Sequence, residues 1–295
     1  MPEKILILSD LHLGRPRHSV ASALMLRPVW QGVDRLILNG DVAEIHHPRH
    51  RSTAARETIA LLDACEEDGV EVTLLSGNHD PFLSDLRHMA CSGGRVFITH
   101  GDALHPAIAP WSPRASAMRS AFERAIGADA QTGESPLERH LRAAQFAAHA
   151  EWQAFEHELE RSSLRSMLIR PWALWQVIDY WRRFPGLVAA FGRKHYPEAA
   201  VLVTGHTHHQ GIWRIDERTV INTGSFGFPG RPRGVVISGN EVAVHAIKRR
   251  THSYMLVPDP ITRIQLAQLE SPDNAPRSAT NIRPVRDRLH ELATT

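Results

Sequence analysis

Five short motifs in this chain hold residue types that bind divalent cations: Asp10-Leu11-His12, Gly40-Asp41, Gly77-Asn78-His79-Asp80, His100-Gly101-Asp102 and Gly205-His206-Thr207-His208. Carboxylate and imidazole together suit Mn, Fe, Zn or Co. A carboxylate shared by two such ions holds them about 3.5–4 Å apart, and water bound there has its pKa lowered to about 7. The same cations neutralise charge gathering on phosphoryl oxygens. Each motif alone has an ordinary reading: Gly-Asp after a strand is usually a turn, Asn-His-Asp forms Asx-turns, and His206 with His208 would serve as a surface pair. All five, however, stand directly after short apolar runs, and that shared position points to one site.

The apolar runs are the elements that must position them. Lys4 to Leu8, Arg35 to Leu38, Val70 to Leu75 and Arg95 to Thr99 are short, rich in Leu, Ile and Val, and bounded by turn residues, as buried strands are. Thr53 to Glu67 between them has helical spacing, which makes the pattern α/β. Further strands are expected over Ala200 to Thr204, Gly211 to Ile215, Thr219 to Asn222, Gly234 to Ile237 and Val242 to Ile247. In α/β sheets, groups just beyond the carboxyl ends of strands converge on one crevice.

In this order the five motifs resemble the calcineurin-like metallophosphoesterase superfamily. The resemblance covers residues 1–102 and 199–250 and implies a four-layer αββα sandwich with a helical cap insertion. It also implies two divalent metal ions, Mn²⁺ favoured over Fe, Zn, Co or Ni. One would be held by Asp10, His12, Asp41 and His208, the other by Asp41, Asn78, His100 and His206, so that Asp41 bridges. His79 would protonate the leaving oxygen or stabilise the transition state, with Asp80 holding its ring, while Asp102 would orient a histidine or turn the chain. The activity implied is hydrolysis of a phosphodiester or pyrophosphate by metal-bound hydroxide. The alternatives are a phosphomonoesterase and, more weakly, a non-catalytic scaffold. The run Ser9-Asp10-Leu11-His12-Leu13-Gly14 and the closing Asn222-Thr223-Gly224-Ser225 are similar to the UDP-2,3-diacylglucosamine hydrolase branch, although that branch typically carries arginine where His79 stands.

Domain boundaries follow: a core over 1–104 and 197–257, a cap over 105–196, and a polar, proline-punctuated tail over 258–295 with a short helix expected at Ile261 to Leu269. In the cap, Leu137, Leu141, Ala144, Ala148, Trp152, Phe155 and Leu159 form a helical stripe beside an expected Glu138–Arg142 pair. A second helical segment, Leu164 to Arg183, is interrupted by Pro171. Trp172, Trp175 and Arg170 are the candidate substrate-binding residues, giving an apolar wall and basic rim that suit a small-molecule or lipid-linked phosphate and peripheral membrane contact. With 42% hydrophobic and 22% charged residues and a formal charge of +2, the 295-residue chain has no strong nucleic-acid signal. Cys65 and Cys91 lack metal or redox spacing, so both thiols are expected buried in a cytoplasmic protein, peripheral on the inner membrane's cytoplasmic face if the substrate is a lipid.

Overall fold

Strands apolar at nearly every position must be covered on both faces, and the order of elements achieves this twice. The computed structural model describes residues 2–15, 20–128, 133–155, 171–227, 230–267 and 282–294. β1 (Lys4–Leu8), β2 (Arg35–Asn39) and β3 (Glu71–Leu75) run parallel, with α1 (Arg51–Glu67) crossing between the last two. On the other side of β1 the sheet continues antiparallel through β9 (Arg233–Ser238) and β10 (Glu241–Arg249). β11 (Tyr254–Leu256) and β12 (Thr262–Gln265) both pair with β10. The second sheet has the order β4 (His88–Cys91), β5 (Val96–Thr99), β6 (Val201–Thr204), β8 (Arg218–Asn222) and β7 (Gly211–Ile215), with the three inner strands parallel and both edges antiparallel.

Alternate residues of each strand sort into three cores. Ile5, Ile7, Ile37 and Leu75 face Val96, Ile98, Val201, Val203 and Ile221 between the sheets. The opposite residues of the first sheet, Leu6, Leu8, Leu36, Leu38 and Leu74, pack on Leu61, Leu62 and Cys65 of α1 and on Val285 and Leu289 of α5 (Ile282–Thr294). Phe97, Leu202 and Val220 of the second sheet pack with α2 (Ala115–Gly127), α3 (Pro136–Phe155) and α4 (Pro171–His195). The architecture is therefore a four-layer αββα sandwich. The helices expected as a cap share a continuous core with the second sheet, and so supply its outer layer as well as a roof.

The α3 stripe is buried at Leu137, Leu141, Ala144, Ala148 and Trp152. The Phe155 side chain and Leu159 lie outside the described residues, as do Leu164 and Leu168. Two local expectations are corrected. Glu138 does not pair with Arg142; it closes a capping box, its carboxylate accepting the Ser135 N–H at 2.7 Å while its own N–H donates to Ser135 Oγ at 3.2 Å. Arg142 binds Glu134 instead, at 2.6 Å. The helix expected over Ile261 to Leu269 is replaced by strand β12, because the free edge of β10 rewards an extended conformation there. The polar stretch beyond residue 258 thus carries two packed elements, β12 and α5. Arg286 of α5 also bonds Asp63 and Glu66 of α1. Cys65 and Cys91 are buried and unbonded to each other. No helix among the described residues is long and apolar enough to cross a membrane.

Candidate metal centre

The loops that leave β1, β2 and β6 turn sharply. Asp10, His12, Asp41, His206 and His208 have φ between 50 and 68°. Left-handed backbone is uncommon for residues other than glycine and costs roughly 1 kcal/mol or more at each. The surrounding structure holds them there: the Asp10 N–H donates to Gly40 O at 3.1 Å and the His12 N–H to Asp41 O at 3.0 Å. Close approach is possible because glycines stand opposite. A Cβ on Gly77 would meet the Asp41 carboxylate and lie 2.6 Å from its backbone nitrogen, and one on Gly205 would meet the Asp10 carboxylate.

The turns bring seven side chains named from the sequence into contact. One ligand atom from each of Asp10, His12, Asp41 and His208 falls within 4.8 Å of all the others, and the same holds for Asp41, His100 and His206. Both groups contain Asp41. Asn78 joins the second, its Oδ1 lying 2.9 Å from His206 Nδ1.

Hydrogen bonds fix which ring nitrogens are offered. His100 Nδ1 donates to Asn39 O at 2.9 Å, leaving Nε2 buried, 3.2 Å from Asp41 Oδ2 and with no hydrogen bond of good geometry among the described residues. His206 Nε2 donates to Ile108 O at 3.2 Å, so its Nδ1 and the Asn78 amide oxygen face each other as two acceptors. His12 Nδ1 donates to Glu44 Oε1 at 2.9 Å, turning Nε2 toward His208 Nε2 at 3.0 Å. Inward-facing lone pairs with outward-facing N–H groups are the arrangement of histidines that share a cation. The residues present fit a pair of divalent ions.

The electrostatics agree. Burial penalises every charge here, yet His100 and His79 hold the Asp41 carboxyl well below its usual range, and His79 and His12 do the same for Glu44. Against its own burial, His100 is raised to about 10 by Asp41 and Asp10. His206, set among the rings of Trp111, Tyr180 and Phe184, is pushed down to about 4 by burial and by His100. Three carboxylates inside one crevice demand positive charge, and cation binding would release the protons that otherwise supply it.

His79 lies beside the centre, its side chain 24% exposed, with Nε2 4.0 Å from Asp41 Oδ2. The residue that holds its ring is Glu44, whose Oε2 takes Nδ1 at 3.0 Å. Burial opposes the imidazolium, but Glu44 and Asp41 raise its pKa to about 9. The expectation that Asp80 holds this ring is corrected. Asp80 accepts the N–H groups of Gly77 at 2.7 Å, Asp41 at 3.2 Å, Val42 at 2.6 Å and Ala43 at 3.3 Å, so it clamps the two ligand loops together. Asp102 likewise turns from the histidines to a buried ion pair with Arg87.

Several contributors were not given a role at the metal centre from the sequence. Glu44 sits in a loop with no motif, and only its burial between two imidazoles marks it. Trp152 donates its indole N–H to Asn78 O at 3.0 Å and sets its ring edge-on to His79 at 5.4 Å. Trp181 donates to Thr207 O at 3.0 Å and stacks on His209 at 4.8 Å, so His209 is partly covered. Asn222 bonds Gly205 O at 2.6 Å, and Ser225 Oγ bonds Asp10 O at 3.3 Å, bracing the same loops. Among the candidate substrate residues, Trp172 and Trp175 project from the first turns of α4, 79% and 67% exposed, beside exposed Leu174. Arg170 lies outside the described residues.

No protein-family model matches this chain, and no curated protein is similar to it in sequence. Several solved structures resemble it in outline. A Vps29 from Entamoeba histolytica is 13% identical, with a TM-score of 0.44 over 90% of this chain and 99% of that one. A dimetal phosphatase from Danio rerio is 12% identical, with a TM-score of 0.45 over 87% and 99%. A predicted phosphoesterase from Streptococcus pneumoniae is 16% identical, with a TM-score of 0.37 over 90% and 98%. At these values the chemistry rests on the chain's own residues.

Proposed function

We propose that this protein is a dinuclear metal-dependent phosphoesterase acting on a phosphodiester or pyrophosphate. The observation that carries the reading is the pair of ligand groups sharing buried Asp41. Asp10, His12, Asp41 and His208 would hold one cation, and Asp41, Asn78, His100 and His206 the other. When bound, the ions supply a water of lowered pKa and neutralise phosphoryl charge. The chain's own side chains do the rest. Glu44 fixes the His79 ring, whose Nε2 edge faces the crevice and is positioned to give a proton to the leaving oxygen. Asp80 and Asn222 brace the ligand loops, and Trp152 packs edge-on against His79.

The test is metal-stripped protein with Mn²⁺ restored, assayed on bis(p-nitrophenyl) phosphate. We expect metal-dependent turnover that Asp41→Ala abolishes. Absence of turnover in protein shown to bind two equivalents of Mn²⁺ would point instead to a non-catalytic role. Relative rates on p-nitrophenyl phosphate separate diesterase from monoesterase.

A lipid-linked substrate is supported by the exposed Trp172, Leu174 and Trp175, a strip of the kind that enters a membrane interface. On this reading the protein co-sediments with anionic liposomes and Trp172→Ala/Trp175→Ala does not. Equal sedimentation of both would reject it.

A further inference from the structure

Besides Glu138 of the capping box, α3 carries a second carboxylate that the metal centre does not use, Glu151. Glu151 immediately precedes Trp152, whose indole is tied to the Asn78 carbonyl and whose ring lies against His79. Glu151 Oε1 accepts the Ser112 hydroxyl at 2.8 Å, and Ser112 Oγ in turn accepts the Arg114 N–H at 3.2 Å. Trp111, next in the chain to Ser112, sets its ring 6.5 Å from that of His206. The Ser112–Glu151 bond therefore joins two pieces of roof, one resting on His206 and the other on His79. Glu151 belongs to none of the groups able to ligate a cation, and its second oxygen takes no hydrogen bond among the described residues.

That placement is costly for a site that receives phosphate. A carboxylate in the field of Asp41 repels an anionic substrate, and burial with Asp41 lifts its pKa against Ser112, His79 and Arg114. The penalty is offset if the substrate brings a hydrogen-bond donor to the free oxygen. A charge-assisted bond of that kind is about twice as strong as a neutral one, and a site built for a donor discriminates strongly against analogues that lack it.

Resting on the phosphoesterase reading above, we infer that Glu151 is a specificity-determining residue that accepts a hydrogen bond from a hydroxyl of the esterifying group, so the substrate class is a phosphodiester or diphosphate bearing a sugar or nucleoside. Ser112 and Trp152 are positioning residues: one aims the carboxylate, the other anchors its helix to the ligand loop.

The experiment compares three diesters on the full chain reconstituted with Mn²⁺. The p-nitrophenyl ester of thymidine monophosphate carries a hydroxyl, bis(p-nitrophenyl) phosphate carries no donor, and p-nitrophenyl phosphorylcholine carries a cation without a donor. For Glu151→Gln we expect kcat/KM on the nucleoside diester, relative to bis(p-nitrophenyl) phosphate, to fall about ten-fold or more, chiefly through KM. Glu151→Asp should recover part of that ratio, and Ser112→Ala should shift it the same way by less. An unchanged ratio overturns the inference alone. So does a loss confined to phosphorylcholine, which would mean that the carboxylate reads charge, or a uniform fall in kcat on all three, which would mean that it only supports the roof. No turnover of any diester by metal-loaded wild type overturns the phosphoesterase reading as well.

Discussion

Glu44 joins the two imidazoles that matter most to the centre, one oxygen on His12 and the other on His79, while only 2% of its side chain is exposed. Replacing it with glutamine leaves the shape but removes the charge that orients both rings. Outer partners of this kind typically contribute about 10–100-fold in metal affinity or activity, so Glu44→Gln should weaken Mn²⁺ binding by that factor in a titration followed by calorimetry. The same pair gives the metal-free protein a pH signature. The Glu44 carboxyl is held below its ordinary value, so its contribution to stability is present above the unfolded pKa of about 4.3 and is lost as pH falls through the lower folded value. His79 is raised to about 9, so its contribution is complete below about 6.5 and disappears as pH rises through 9. The stability difference between metal-free wild type and Glu44→Gln should therefore be greatest between about pH 5 and 6.5 and shrink on both sides. A difference that grew toward pH 10 would contradict the pairing.

At the scale of elements, the loops matter more than the strands they leave. β1, β2, β3, β5 and β6 each end within three residues of a candidate ligand, and the ligand loops interlock through glycines that leave no room for a side chain. At Gly77 the obstacle includes backbone, since the Asp41 nitrogen lies 2.6 Å from where its Cβ would be. Gly77→Ala should push Asp41 out of its bridging position, reducing the bound metal from two ions per chain to one or none by elemental analysis, while far-ultraviolet circular dichroism keeps the sheet signature. Retention of two ions would show that the loop can yield. The five motifs were legible in the sequence because glycine, aspartate and histidine after an apolar run are local signals. Glu44 was not, because nothing within a few residues of it differs from an ordinary loop, and Trp152 was legible only as one more residue of a buried helical stripe.

Across the whole molecule, the roof and the far flank are tied in differently. The helices over the second sheet share its core, so displacing them would expose Phe97, Leu202 and Val220. α5 on the opposite flank reaches α1 from the far end of the chain, with Leu289 fully buried. Leu289→Ala should cost about 2–5 kcal/mol of α5 docking, seen as faster proteolysis at the C-terminal end and a lower melting temperature, with the metal stoichiometry kept at two. Loss of metal in that variant would mean that α5 supports the site, through Ala54 of α1 against the Gly14 turn or through Arg288 on the Phe82 carbonyl.

Taken by itself, the sequence determined the strand positions that bound the crevice, the ligand types and the α/β class, since these rest on short-range apolar runs and on the chemistry of individual side chains. Tertiary structure alone decided that Glu44, not Asp80, holds His79, and that Asp80 clamps backbone instead. It also decided that β12 is a strand and that Glu151 ties α3 to Ser112. Those outcomes depend on which groups meet across dozens of intervening residues, and on a free sheet edge or a buried charge that no local pattern records.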